Sequence, residues 1–248
     1  MPVFTHNMIK SSEIKKIVND YSDVRIGVLG SHSALEVMDG AKDENFQTAV
    51  FCQKGREGPY QRFGRIADEI VVLNKFKDMA SAKNQKMLRD TNTIVVPHRS
   101  LTVYLGYKTI EDSFKVPIFG NRKLFQAEER TAKKGQYYLL EKAKIKYPKL
   151  FKDPKRINKP CIVKVQEKKR PLERAFFTVS SYKDYKEKSE AKIKQGLIAR
   201  KDLEKASIEE LAIGTYMNFN FFHTPISNQV DFIGIERRLQ TNIHDYNA

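Results

Sequence analysis

Over the first 120 residues, short apolar and β-branched runs alternate with amphipathic segments, and this alternation constrains the fold more than any other feature of the chain. The runs are 24–29 (VRIGVL), 48–52 (TAVFC), 69–73 (EIVVL), 93–96 (TIVV) and 115–119 (KVPIF). Each is short for a helix and rich in residues that suit a pleated strand. Between them, 12–21, 33–41, 60–67, 78–89 and 100–105 carry apolar residues at helical spacing, the first with Ser11 or Ser12 as its cap. Strand, helix, strand at this spacing predicts parallel strands joined by right-handed crossovers. Residues 1–120 therefore read as one doubly wound α/β domain.

The pattern then changes. Residues 123–146 (KLFQAEERTAKKGQYYLLEKAKIK) read as helical, and Pro148, Pro154 and Pro160 punctuate a basic linker. Strand-like runs follow at 160–165 (PCIVKV) and 174–180 (RAFFTVS), then a charged helix over about 182–195. The last part, SIEELAIG, TYMNFNFFHTPI and QVDFIGIERRLQ, reads as strands, with Asn228 in a hairpin turn and Phe219, Phe221 and Phe222 as sheet core. The closing NIHDYNA follows a strand directly and reads as a domain cut short.

A net charge of +15 fits nucleic acid, a membrane surface or phosphorylated small molecules. Residues 133–205 hold nearly all the excess, and there Tyr137, Tyr138, Tyr147 and Phe151 interleave with lysines as in single-strand binders. The helix at 182–195 alternates its charges in sign, the mark of a solvated face. Cys52 and Cys161, each inside an apolar run, make neither a disulfide framework nor a zinc site, so a cytoplasmic protein is expected. No stretch has the apolar length of a membrane span or a signal peptide, so no membrane partner is expected.

In a doubly wound sheet the turns after the strands gather on one edge. Here they read Gly30-Ser31-His32, Lys54-Gly55-Arg56-Glu57-Gly58, Pro97-His98-Arg99-Ser100 and Gly120-Asn121-Arg122. Each offers donors, and most offer positive charge or a glycine that lets amides approach a ligand. Together they suit a sugar phosphate or nucleotide monophosphate, with Ser31, His32, Arg56, His98 and Ser100 as candidates. The plain alternatives are a helix cap for His32, a turn residue for His98 and a surface charge for Arg56. The first turn lacks the G-x-G-x-x-G spacing, which disfavours a nicotinamide cofactor. His6, His223, His244, Glu209 and Glu210 form no triad or metal pattern by spacing, and no catalytic residue is assigned.

Taken in order, VLGSHSAL, KGREGPYQRF, VVPHRS, VPIFGNR and IEELAIGT resemble the archaeal-type 5-formaminoimidazole-4-carboxamide ribonucleotide (FAICAR) synthetase family of the ATP-grasp superfamily, over essentially the whole chain. The resemblance implies a Rossmann-like parallel-sheet N-terminal domain over 1–120, followed by an ATP-grasp domain with a helical linker and small α+β lobe over 121–210 and the start of an incomplete large lobe over 211–248. It also implies a ligase of purine biosynthesis that uses ATP, Mg²⁺ and formate to formylate 5-aminoimidazole-4-carboxamide ribonucleotide (AICAR), through formyl phosphate. In such enzymes the residues matching His32 and Ser100 contact the substrate nucleotide. Lys164 matches a lysine for the ATP phosphates, and Glu209, Glu210 and Leu211 match the hinge that holds adenine and ribose.

Three departures stand out. The family's glycine-rich flap reads VQEKKRPLERAFF here, leaving Lys168, Lys169, Arg170 and Arg174 to replace backbone amides as phosphate donors. An acidic ATP contact appears as Gln240. The family's magnesium-binding strand falls beyond residue 248, so no metal ligand, and little or no ligase activity, is expected of this stretch alone, and exposed strand edges predict a homo-oligomer. Two rival readings stay open: a divergent ATP-grasp ligase with another substrate, and a non-catalytic nucleotide- or nucleic-acid-binding protein.

Overall fold

In the computed structural model, β1 (Arg25–Leu29), β2 (Gln47–Gln53), β3 (Glu69–Leu73) and β4 (Thr93–Val95) form a parallel sheet in the order β3-β2-β1-β4. The structure describes residues 8–127, 135–165, 175–215, 217–224 and 227–237. The chain divides into two units, Met1–Ala143 and Lys144–Ala248. In the first unit the strands alternate with α1 (Ser11–Asn19), α2 (Ala34–Asp43), α3 (Gly58–Arg62), α4 (Ala82–Asp90), α5 (Arg99–Leu105) and α6 (Tyr107–Asp112), and α7 (Gln136–Lys142) ends it.

Side chains along a strand point alternately to its two faces, and here both faces are buried. Leu29, Ala49, Phe51 and Leu73 pack with Phe76, Met79, Leu88 and Leu101 in one core. Val28, Val50 and Cys52 pack with Ala34, Met38 and Tyr60 in another. That double burial explains why the runs read as continuously apolar rather than alternating.

Four expectations change, one being the helix expected at 123–146, of which the described residues show only a 3₁₀ turn, Arg122–Leu124, and α7. The run at 115–119 makes an isolated parallel bridge, Val95 to Ile118, rather than a full strand. Val95 N–H donates to the Pro117 carbonyl and Phe119 N–H to the Val95 carbonyl, both at 2.9 Å, while Pro117 has no N–H with which to extend the ladder. The helix expected at 60–67 is α3, started early by Pro59 in its first turn and ended at Arg62. The helix expected at 78–89 splits into a 3₁₀ turn, Phe76–Ala80, and α4, because Ser81 Oγ accepts the Asn84 amide at 3.3 Å and caps the second piece.

In the second unit β5 (Cys161–Val165), β6 (Ala175–Val179) and β7 (Ser207–Glu210) form an antiparallel sheet in the order β6-β5-β7. Its buried face, Cys161, Val163, Val165, Phe177 and Ile208, packs with Phe151, Ile157 and Ile198. Phe151 is thus core and not a stacking platform. α8 (Tyr182–Lys194) pairs Lys188 with Asp184 and Lys183 with Glu187, and its Glu190 pairs with Arg200 at the start of α9 (Arg200–Leu203). β8 (Asn218–Thr224) and β9 (Gln229–Glu236) form a hairpin with Asn228 at a left-handed φ of 52°. Phe219, Phe221 and Phe222 are 57%, 60% and 40% exposed, against the expectation of a sheet core. The hairpin is a two-stranded sheet, with no third strand against it among the described residues.

No helix among the described residues is long and apolar enough to cross a membrane.

Candidate functional site

The strand order reverses between β1, which is followed spatially by β2 and β3, and β4 on its other side. In open α/β sheets the crevice beyond the carboxyl ends of two such strands is where ligands bind. Four of the five residues expected there do converge. The His32 and His98 rings stack with centroids 5.9 Å apart and planes 20° from parallel. Ser100, in the first turn of α5, donates its hydroxyl to Ser31 Oγ at 3.2 Å.

Backbone geometry fixes this cluster. His32 has a φ of 49°, a left-handed conformation uncommon for a residue with a side chain, and residues so held concentrate at functional sites. Its Nδ1 shares a hydrogen bond of 2.6 Å with the Ser33 hydroxyl. Gly30 sits so close to β2 that a Cβ there would lie 2.7 Å from Cys52 Cβ and 3.0 Å from Tyr60 Cε2. We expect Gly30→Ala to cost about 2 kcal/mol of stability through overpacking, read as a lower urea midpoint; an unchanged midpoint would mean that the turn has room to move.

His98 is the most constrained of the four. Its Nε2–H donates to the Leu29 carbonyl at 2.8 Å, and its Nδ1 accepts the Ser100 amide at 3.2 Å, capping α5. Burial pushes its pKa below the ordinary histidine value, so the neutral ring is favoured. Beside it lies a hollow of about 200 Å³ lined by Pro97, His98, Arg99, Thr102, Tyr107, Leu124 and Phe125. Tyr107 and Phe125 were not legible as site residues, since α6 and the segment after the last turn bring them in rather than a strand-to-helix turn.

The other turns are used differently. The Arg56 guanidinium lies over the Phe76 ring, 5.5 Å from its centroid, and makes no described contact with the histidine pair. Arg122, expected among the ligand donors, points into the protein: Nη1 donates to the carbonyls of Ile110 at 2.5 Å and Phe114 at 2.9 Å, and Nη2 to Val116 at 2.6 Å. It fastens the segment around the fifth apolar run.

In the second unit Lys164 and Glu209 lie diagonally on the face of β5 and β7 opposite the buried core, since Lys164 registers with Ser207 and Ile162 with Glu209. They form an ion pair whose side chains are 19% and 3% exposed, and the Ser207 hydroxyl donates to Glu209 Oε1 at 2.8 Å. Glu210, at the strand's end, accepts from Lys159 Nζ at 2.8 Å, a bond that holds its carboxyl below the usual range. Lys159 went unread, although it precedes the Pro160 that opens the strand. The Leu211 amide donates to the Pro160 carbonyl at 2.9 Å. Gln240, Lys168, Lys169, Arg170, Arg174, His6 and His244 lie outside the described residues. Among the described residues no group of three or more histidines, cysteines, aspartates and glutamates is placed to hold a metal ion.

The chain has relatives among known proteins. The family described as "Protein of unknown function (DUF1246)" matches residues 26–151, just over half of the chain, and the "Domain of unknown function (DUF1297)" matches residues 184–248. A protein of Methanopyrus kandleri named 5-formaminoimidazole-4-carboxamide-1-(beta)-D-ribofuranosyl 5'-monophosphate synthetase is 40% identical over 238 residues, 95% of this chain and 65% of that protein. Its namesake in Methanothermobacter thermautotrophicus is 38% identical over 238 residues, covering 95% and 64%. The chain therefore spans slightly less than two thirds of the length of these relatives.

Among solved structures, an IMP biosynthesis protein PurP from Thermococcus kodakaraensis superposes with a TM-score of 0.60 at 23% identity, over 90% of this chain and 63% of that one. The biotin carboxylase domain of a thermophilic 2-oxoglutarate carboxylase superposes with a TM-score of 0.50 at 14% identity, over 87% and 52%. At such identities what is shared is the fold alone.

Proposed function

The chain belongs to the family described as Protein of unknown function (DUF1246), and we propose that it binds a purine-precursor ribonucleotide at the β1–β4 edge as part of an ATP-dependent ligase. The reaction class is C–N bond formation, the formylation of AICAR to FAICAR with formate as the one-carbon donor. The names carried by the relatives support this reading. The observation that carries it is the meeting of Ser31, His32 and Ser100 at the switch point of the sheet. Hydroxyl and imidazole donors there, beside the first turn of α2, suit a phosphate monoester and its ribose.

The second unit supports the nucleotide side. Lys164, on the face of the sheet away from the core and still 19% exposed in its side chain, fits an amine that meets phosphate oxygens. Glu209, Glu210 and the backbone at Leu211 would hold the rest of the nucleotide. ATP, when bound, supplies the phosphoryl group that turns a formate oxygen into a leaving group. The protein's own task is then to bind, orient and exclude water. No described group of three or more histidines, cysteines, aspartates and glutamates is placed to hold a metal ion, and no residue is assigned to magnesium.

The rival nucleic-acid reading loses one of its supports, since Phe151 is core. Calorimetric titration with AICAR tests the proposal. We expect saturable binding by the native chain and a loss of about tenfold or more in His32→Ala, the cost of a charge-assisted hydrogen bond. No binding by the native chain, or equal binding by the variant, would overturn it.

A further inference from the structure

The turn Pro97-His98-Arg99-Ser100 presents two side chains that could meet a ligand, yet their hydrogen bonds differ. Ser100 N–H is a donor, so His98 Nδ1 must accept from it, and the ring proton must sit on Nε2, where it reaches the Leu29 carbonyl. Both ring nitrogens are thereby occupied inside the protein. One bond closes the cap of α5, and the other crosses the switch point from the end of β4 to the last residue of β1. One ring face stacks on His32. Ser100, held by that cap, is the residue whose hydroxyl reaches Ser31.

We propose that His98 is a positioning residue: it ties the β4 turn to the end of β1 and so holds Ser100, Ser31 and the His32 ring in the arrangement that receives the ribonucleotide, without touching it. The inference rests on the reading of this edge as a nucleotide site. It assigns His98 a different part from the substrate contact expected of it in the sequence.

The tie works only with a neutral ring. A proton added to Nδ1 would face the Ser100 N–H, donor against donor, and open the cap. The titratable and charged groups around the ring are His32 stacked on it, Glu36 of α2 and Arg99 beside it in the hollow. Because the folded form favours neutral His98, the unfolded chain takes up the proton first on acidification. The contribution to stability is complete above the ordinary histidine value of 6.5 and is lost as pH falls below it.

Two variants separate the two bonds. His98→Asn places a carbonyl oxygen close to where Nδ1 stood and keeps a strong cap, but gives up the bond to Leu29. His98→Gln extends an amide toward Leu29 and gives up the cap. Long-range ¹H–¹⁵N spectra of the native chain, amide hydrogen exchange at Ser100 and titration with AICAR provide the readouts.

We expect the Nε2-protonated tautomer with and without AICAR, with the His98 nitrogens unmoved while those of His32 shift. Ser100 exchange should be fast in His98→Gln and slow in His98→Asn. Affinity for AICAR should fall about tenfold in His98→Gln and about threefold in His98→Asn, since the second keeps the cap. A His98 nitrogen that shifts on adding AICAR, or equal losses in the two variants, would make it a substrate contact and overturn the proposal. Failure of the native chain to bind AICAR would instead overturn the nucleotide reading. Tautomer and Ser100 exchange in the ligand-free chain would still decide for or against the tie, because equal exchange in native chain and His98→Gln removes it.

Discussion

Replacing Arg122 with methionine is expected to lower the unfolding free energy of the first unit by about 4 kcal/mol, because it leaves buried carbonyls without a donor. The native guanidinium spans three of them, at Ile110, Phe114 and Val116, and its flat fork can serve all three at once. Burial pulls its pKa down to about 10, which leaves it cationic at neutral pH. Arg122→Lys retains the charge but not the fork, and should recover only about half of the loss. Urea unfolding followed by circular dichroism reads both values. A methionine variant as stable as the native chain would mean that water serves those carbonyls equally well.

The second large effect is expected at Lys164. Removing one partner of a buried ion pair strands the other, at a cost of about 3–5 kcal/mol. Lys164→Met takes the cation away from the Glu209 carboxylate, whose side chain is only 3% exposed and which also accepts from Ser207. The double variant Lys164→Met/Glu209→Leu should regain most of the lost stability, since a well-packed apolar pair often equals a buried ionic one. ATP binding should be lost in both variants if Lys164 meets the phosphates. A double variant no more stable than the single one would show that the destabilisation lies in packing rather than in the lost ion pair.

Backbone features were the legible ones. The strands β1 to β4 could be read from composition and spacing because burial on both faces left continuous apolar runs. The fifth run failed for a reason visible in the sequence, Pro117, whose missing N–H stops the ladder. The edge on which the turns gather follows from parallel connectivity alone, so Ser31, His32, His98 and Ser100 could be placed together before any coordinates. Side-chain direction was not legible. Arg56 and Arg122 occupy equivalent turns and carry the same group, yet one lies on a phenylalanine ring and the other is spent on carbonyls inside the fold. The His98 tie likewise depends on a partner 69 residues away in sequence, which no local pattern encodes.

The hairpin of β8 and β9 carries its phenylalanines in water. Its side-chain interactions include ring contacts of 6.4 Å between Phe219 and Phe232 and 5.4 Å between Phe221 and Phe232, beside the backbone ladder. Among the described residues the ribbon has no third strand, and two strands alone are marginal in water, whereas the β1–β4 and β5–β7 sheets each rest on a packed core. Cooperativity therefore differs along the chain: the ribbon opens at a small free energy while the cores persist. A single melting temperature would average over parts that do not melt together, and an all-or-none description belongs to each core separately.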